Sequence, residues 1–163
     1  IARFTRELFR ALPGVWPEAE FCLLSDQIEP KPRGLNRRWW ALGLAREIRR
    51  RRIALFHGTD FAVPYWRVCP ALMTVHDLSP WRDPTVENTR VRQRTNWLMR
   101  LRIPDFVHTP SNAVREEARQ AFAWPPDRIA AVPLAAAPHL HPLQESGWHR
   151  PYILYLGTLE ERK

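Results

Sequence analysis

Three short apolar runs in this chain stop abruptly on polar residues: "IALFHG" (Ile53 to Gly58), "CPALMTVHD" (Cys69 to Asp77) and "DFVHTPS" (Asp105 to Ser111). Between and after them lie segments with helical spacing of apolar positions. Strands that are nearly continuous apolar runs, alternating with helices, indicate a parallel sheet covered on both faces. Parallel neighbours place all their carboxyl ends on one edge. The chain has 163 residues, too few for eight strand–helix units, so an open sheet is expected rather than a closed barrel.

The remaining segments fill in this pattern. Phe4, Leu8, Phe9 and Leu12 recur at helical spacing in "ARFTRELFRAL", with Pro13-Gly14 as the expected stop. "AEFCLLSD" reads as a strand, and "QIEPKPRGLN" as a surface loop. Asn36 to Arg52 reads as a helix, with Trp40, Leu44 and Ile48 on one face and Arg46, Glu47 and Arg50 on the other. Such a helix covers a sheet or lies on a membrane surface. "SPWRDP" offers neither a strand nor a clean helix start. A long helix is expected over Val86 to Ile103, and Ser111 is placed to cap a helix over "NAVREEARQAF". A strand in "WPPDRIAAVPL" and a last one in "RPYILYLG" complete the series.

A formal net charge of +8 and a pI near 10.6 favour anionic partners. Nearly all the basic charge is arginine, a bias that coding preference also produces. The arginines are spread over several helices without a platform of aromatic residues on strands, so nucleic acid is not expected. Cys22 and Cys69 lie in or beside apolar runs, and read as buried thiols of a reducing compartment. No apolar run reaches the roughly 20 residues of a membrane helix. His57, His76, Asp77, His108, His139 and His141 match no zinc spacing, so no metal is expected. No G-x-S-x-G elbow is present.

In an open parallel sheet, ligands bind outside the carboxyl ends of the strands. His57-Gly58, His76-Asp77 and Thr109-Pro110-Ser111 all fall there. A histidine at that edge can donate to a hydroxyl or phosphate oxygen. Each has a plainer reading beside it. A strand-end histidine can simply satisfy a turn, Asp77 can orient His76 or cap the next turn, and Ser111 can be only an N-cap. His108, inside its strand, points to the face opposite Thr109.

Taken in order, the segments resemble the group 1 glycosyltransferases, glycosyltransferase family 4. "RFTRELFRAL" resembles the family's first helix. "RRWWALGLAREIRRRRIALFHGTD" is similar to its Trp-containing helix and the strand that ends in His. "MTVHDLSPWRDP" is similar to its T-x-H-D-L-x-P segment, "DFVHTPSNAVREEAR" to its strand–Ser–helix unit, and "PDRIAAVPLAAAPHLHP" to the stretch leading into the interdomain linker. "RPYILYLGTLEERK" resembles the first strand of the second domain.

The resemblance implies a Rossmann-like open parallel sheet, the acceptor-side half of a two-domain GT-B fold over residues 1–145, with 146–163 as linker and first strand of the donor half. It implies a metal-independent, retaining enzyme that moves a hexose, mannose among the candidates, from a nucleotide sugar to a glycan or lipid-linked acceptor. The setting would be polysaccharide or cell-envelope synthesis in the cytoplasm, with peripheral contact at the inner face of an anionic membrane through the Trp39-Trp40 helix. His76, with Asp77, would meet the donor sugar; Lys163 and Arg162, with Gly157 and Thr158, would hold the donor diphosphate; His57, Gly58, Thr109 and Ser111 would line the cleft. The sequence departs from the family at Thr158, where some relatives carry Arg, and at "PLAAAP" (Pro133 to Pro138), where a Gly is usual. Both ends read as cuts within a structural unit, and such a piece is expected to be inactive alone. A non-catalytic Rossmann-like module binding a phosphorylated or anionic ligand is the alternative.

Overall fold

A computed structural model describes residues 2–24, 39–82 and 89–136, with Pro151 and Ile153. Four short strands form one sheet: β1 (Phe56–Gly58), β2 (Ala71–Thr74), β3 (Phe106–Thr109) and β4 (Ile129–Ala131), in the order β1-β2-β3-β4 and parallel throughout. Their carboxyl ends share one edge, as the sequence pattern requires. The helices are α1 (Ala2–Val15), α2 (Leu44–Arg50), α3 (Ser79–Arg82), α4 (Thr89–Arg100) and α5 (Asn112–Ala121).

Register sorts the side chains onto two unlike faces. His57 pairs with Leu72, Met73 with Val107, and Thr74 with His108. Neighbours in register share a face, and residues two apart along a strand do too. One face therefore carries Ala71, Met73, Val75, Val107 and Ile129. These pack with Leu98 and Met99 of α4, Ala118 of α5 and the buried Trp124. Each of the Val, Ile, Leu and Met side chains among them contributes about 1.5–3 kcal/mol by leaving water. The other face carries His57, Thr74 and His108, and Phe4 of α1 lies over it. Helices thus cover both faces of an α/β, Rossmann-like sheet.

Several expected boundaries move. Pro13 does not end α1, which runs to Val15; a proline in the last turn forfeits one backbone bond, and Trp16 N–H still donates to the Leu12 carbonyl at 2.9 Å. Residues 19–24 of the expected early strand are not a strand. None of the four strands pairs with them, and an apolar run without a ladder partner has nothing to hold it extended. Cys22 is exposed there, and Cys69 only half-buried, so neither is the fully buried thiol expected. The Trp-rich helix opens with a π-helical turn, Trp39–Gly43, before α2. Arg52, after α2, lies in the left-handed region at φ 54°, and β1 is three residues long rather than the six of the apolar run. "SPWR", expected to be irregular, is the single helical turn α3. The long helix expected over Val86 to Ile103 is α4, ending at Arg100. Of the expected last strand only Pro151 and Ile153 are described, and neither is in a strand; the rest, with Gly157, Thr158, Arg162 and Lys163, lies outside the described residues.

Candidate active site

The carboxyl edge of β1 and β2 is held by a tight turn, Gly58 to Phe61. A Cβ on Gly58 would collide with the Ala62 carbonyl, so the chain can fold back here only on glycine. Phe61 adopts φ 46°, a left-handed conformation that is costly for a bulky residue. Its backbone is pinned on both sides: its N–H donates to the Thr74 carbonyl at 3.1 Å, and its own carbonyl accepts from Thr95 Oγ1 at 3.1 Å. Thr59 Oγ1 accepts from Thr5 Oγ1 of α1 at 2.8 Å.

His76 belongs to this turn. Its Nε2 lies 2.8 Å from the Thr59 carbonyl. A carbonyl can only accept, so Nε2 carries the proton and Nδ1 keeps its lone pair in the neutral ring. Phe4 meets the ring edge-on at 5.2 Å between centroids. Asp77 does not orient His76. Its Oδ1 accepts from the Ser79 N–H at 2.8 Å and from Ser79 Oγ at 2.6 Å, a local turn that starts α3.

His57 and His108 meet through Thr74. His57 Nε2 is 2.8 Å from Thr74 Oγ1, which is 3.2 Å from His108 Nδ1. His108 Nε2 lies 3.3 Å from the Val132 carbonyl. Working back from that carbonyl fixes every proton. His108 donates from Nε2 and accepts at Nδ1 from the Thr74 hydroxyl, which in turn accepts from His57 Nε2–H. The chain is satisfied with both rings neutral. Burial first, then the charges of His108 and His76, push the His57 pKa down to about 4. Burial likewise lowers His108, against the bond to Val132.

The cleft-lining candidates therefore separate. His57, Gly58 and His76 gather around one turn. Thr109 is fully buried on the other face of the sheet, bonding to the Ser111 and Ala130 carbonyls at 3.2 and 3.4 Å. Ser111 Oγ accepts from Val114 N–H at 3.2 Å as the N-cap of α5. Two residues passed over in the sequence join the histidines. His108 shares their face, and its position two strands away could be seen only with the register in hand. Asp60 sits on the strained turn; burial raises its carboxyl above the usual range, against the pull of His76 and Arg94. The signal for Asp60 was its place directly after "HGT", at the tip of a strand. Among the described residues no group of three or more His, Cys, Asp or Glu could hold a metal ion.

The family model for Glycosyltransferase Family 4 matches residues 7–137. The chain belongs to that family. No curated protein and no solved structure matches it. The matched span takes in all four strands and the His57, Asp60, His76 and His108 edge. This glycosyltransferase-family domain accordingly carries its polar cluster where open parallel sheets present ligands. Nucleotide-sugar and acceptor partners follow from the family in general terms.

Proposed function

We propose that the chain is the acceptor-side half of a GT-B type, retaining hexosyltransferase, with the domain spanning 1–145 and the donor half beginning in 146–163. It moves a hexose, mannose being one candidate, from a nucleotide sugar to a glycan or lipid-linked acceptor in polysaccharide or cell-envelope synthesis. The enzyme works in the cytoplasm, at the inner face of the membrane when the acceptor is lipid-linked.

The observation that carries this reading is the tethered ring of His76. With Nε2–H committed to the Thr59 carbonyl, Nδ1 is left to accept a hydrogen bond from a sugar hydroxyl at the carboxyl edge of the sheet. Phe4 and the pinned turn hold the ring, so little ordering remains when sugar binds. Lys163 and Arg162, with Gly157 and Thr158, would receive the donor diphosphate, where negative charge develops as the glycosidic bond to phosphate breaks. The departing phosphate oxygen takes the acceptor proton, so no protein nucleophile and no metal is required.

The test is sugar transfer from a panel of nucleotide hexoses by the full-length protein, with His76→Ala and His76→Gln beside the unmodified enzyme. His76→Ala is expected to lower kcat/KM roughly 10²-fold, in the range for a positioned polar group. His76→Gln, which keeps a donor for Thr59, is expected to lose less. Transfer undiminished in His76→Ala would remove this residue from the site. Absence of transfer with every donor would remove the enzyme reading itself.

A further inference from the structure

Asp60 is held more firmly than a loop position usually is, because both of its neighbours are fixed. Thr59 is bonded to the Thr5 hydroxyl and, at its carbonyl, to His76 Nε2. Phe61 is bonded to Thr74 at its N–H and to Thr95 at its carbonyl. The Asp60 side chain itself remains exposed. It therefore stands on a preorganised turn at the carboxyl edge of the sheet, next in sequence to the residue that holds the His76 ring.

No hydrogen bond and no ion pair reaches the Asp60 carboxylate among the described residues. The aspartates beside the other two strands differ. Asp77, after β2, is bonded to the N–H and the hydroxyl of Ser79, and Asp105, before β3, accepts from the Ala71 N–H at 2.9 Å. Those two are committed to local structure. The turn that carries Asp60 is pinned by other groups and asks nothing of its carboxylate.

A cation stands near without closing on it. Arg94 of α4 directly precedes Thr95, whose hydroxyl bonds the Phe61 carbonyl. Its guanidinium lies 5.3 Å from the Trp40 ring centroid, and its Nε is buried without a partner. Trp40 is half-buried there, and Trp39 is half-buried against Gly43, where an added Cβ would stand 2.7 Å from its ring. The pair read in the sequence as a membrane contact is thus taken up within the fold. Burial raises the Asp60 carboxyl, and the charges of His76 and Arg94 draw it back toward the ionised form. An ionised carboxylate is an acceptor only, so what Asp60 lacks is a donor.

We infer that Asp60 is a specificity-determining residue, accepting a hydrogen bond from a hydroxyl of the transferred hexose, the same sugar that meets His76 Nδ1. The inference rests on the transferase reading above and names what that site selects. Both groups are acceptors, so the edge takes a sugar that presents two free hydroxyls to it. A deoxy sugar at either position leaves an acceptor unmatched, which is how a site built for a hydroxyl rejects the analogue without one. A bond to an ionised carboxylate is the stronger kind, and its loss is expected to cost about 10- to 100-fold in kcat/KM. No proton transfer is asked of Asp60, since the bond is already made in the bound sugar.

The test uses the full-length protein, the nucleotide hexose it transfers best, and the 2-, 3-, 4- and 6-deoxy forms of that donor. Asp60→Ala should erase a penalty of about 10- to 100-fold at one deoxy position, and leave the penalties at the others within about twofold. His76→Ala should erase the penalty at a different position. Asp60→Asn keeps a neutral acceptor and should retain part of the discrimination. Each reading is a ratio between two donors on one preparation, so a variant that is only partly folded gives the same answer. The inference is overturned if Asp60→Ala keeps every penalty of the unmodified enzyme. It is overturned equally if Asp60→Asn lowers kcat about 10³-fold for all the donors alike, the mark of a group that takes a proton in the reaction. Transfer with every penalty intact removes Asp60 alone, whereas absence of transfer from any nucleotide hexose removes the transferase reading together with it.

Discussion

The Thr74 hydroxyl stands 2.8 Å from His57 Nε2, across the β1–β2 pair and at zero solvent exposure. It accepts from that ring and donates a hydrogen bond to His108 Nδ1, 3.2 Å away on β3. One hydroxyl therefore serves two imidazoles on either side of it. Thr74→Val keeps the shape and removes the bridge, leaving two ring nitrogens unsatisfied. The expected cost is about 1–3 kcal/mol of folding stability, read from denaturant unfolding, with Thr74→Ser close to the unmodified protein.

The same cluster sets a pH dependence. His57 takes up a proton near pH 6.5 when unfolded but only near pH 4 when folded. Its contribution to stability is thus fully present above pH 6.5, declines as the pH falls and reaches its floor near pH 4. His108 adds to the slope in the same direction. Unfolding midpoints measured across that window should drop with acid, and His57→Asn should flatten the slope even if it lowers the plateau.

Ser111 separates structure from function. Its hydroxyl caps α5, so Ser111→Ala should cost about 1 kcal/mol of stability. Sugar transfer by the full-length protein at a temperature where the variant stays folded should be unchanged. A loss of kcat with stability intact would return Ser111 to the cleft.

Ala123 follows the end of α5 at φ 46° and is exposed. A left-handed position at a helix C-terminus favours glycine. Ala123→Gly is expected to raise stability by about 1 kcal/mol, the side-chain penalty in that region less the entropy of the freer chain. A thermal-unfolding midpoint that falls instead would mean the Ala123 methyl packs more favourably than its exposure indicates.

Alternation of apolar runs with helical segments was enough to read the parallel sheet, because a strand buried on both faces leaves a compositional mark that needs no partner to be seen. The early run at 19–24 carried the same mark and is not a strand, since pairing is decided by chain far away. His57 and His76 stood out as strand-end residues. Their union with Thr74 and His108 did not, because it depends on which residue of β2 sits beside which of β3. Asp77 and Ser111 were each legible in both of their readings, and local geometry chose the turn and the cap. The ion pairs of α2 were hidden for a similar reason: the sequence shows seven arginines from Arg37 to Arg52 around one Glu47, but not that Arg50 and Arg51 are the two it accepts from.

The two faces of the sheet also discriminate between alignments. Sliding β1 or β3 along β2 by a single residue would reverse which way each side chain points. An imidazole would then be forced in among Met73, Leu98 and Met99, and an apolar side chain would be handed to the Thr74 hydroxyl. Neither exchange is tolerable, so the polar rings work as keys cut for one lock: they cost little when the strands are aligned and forbid assembly when they are not.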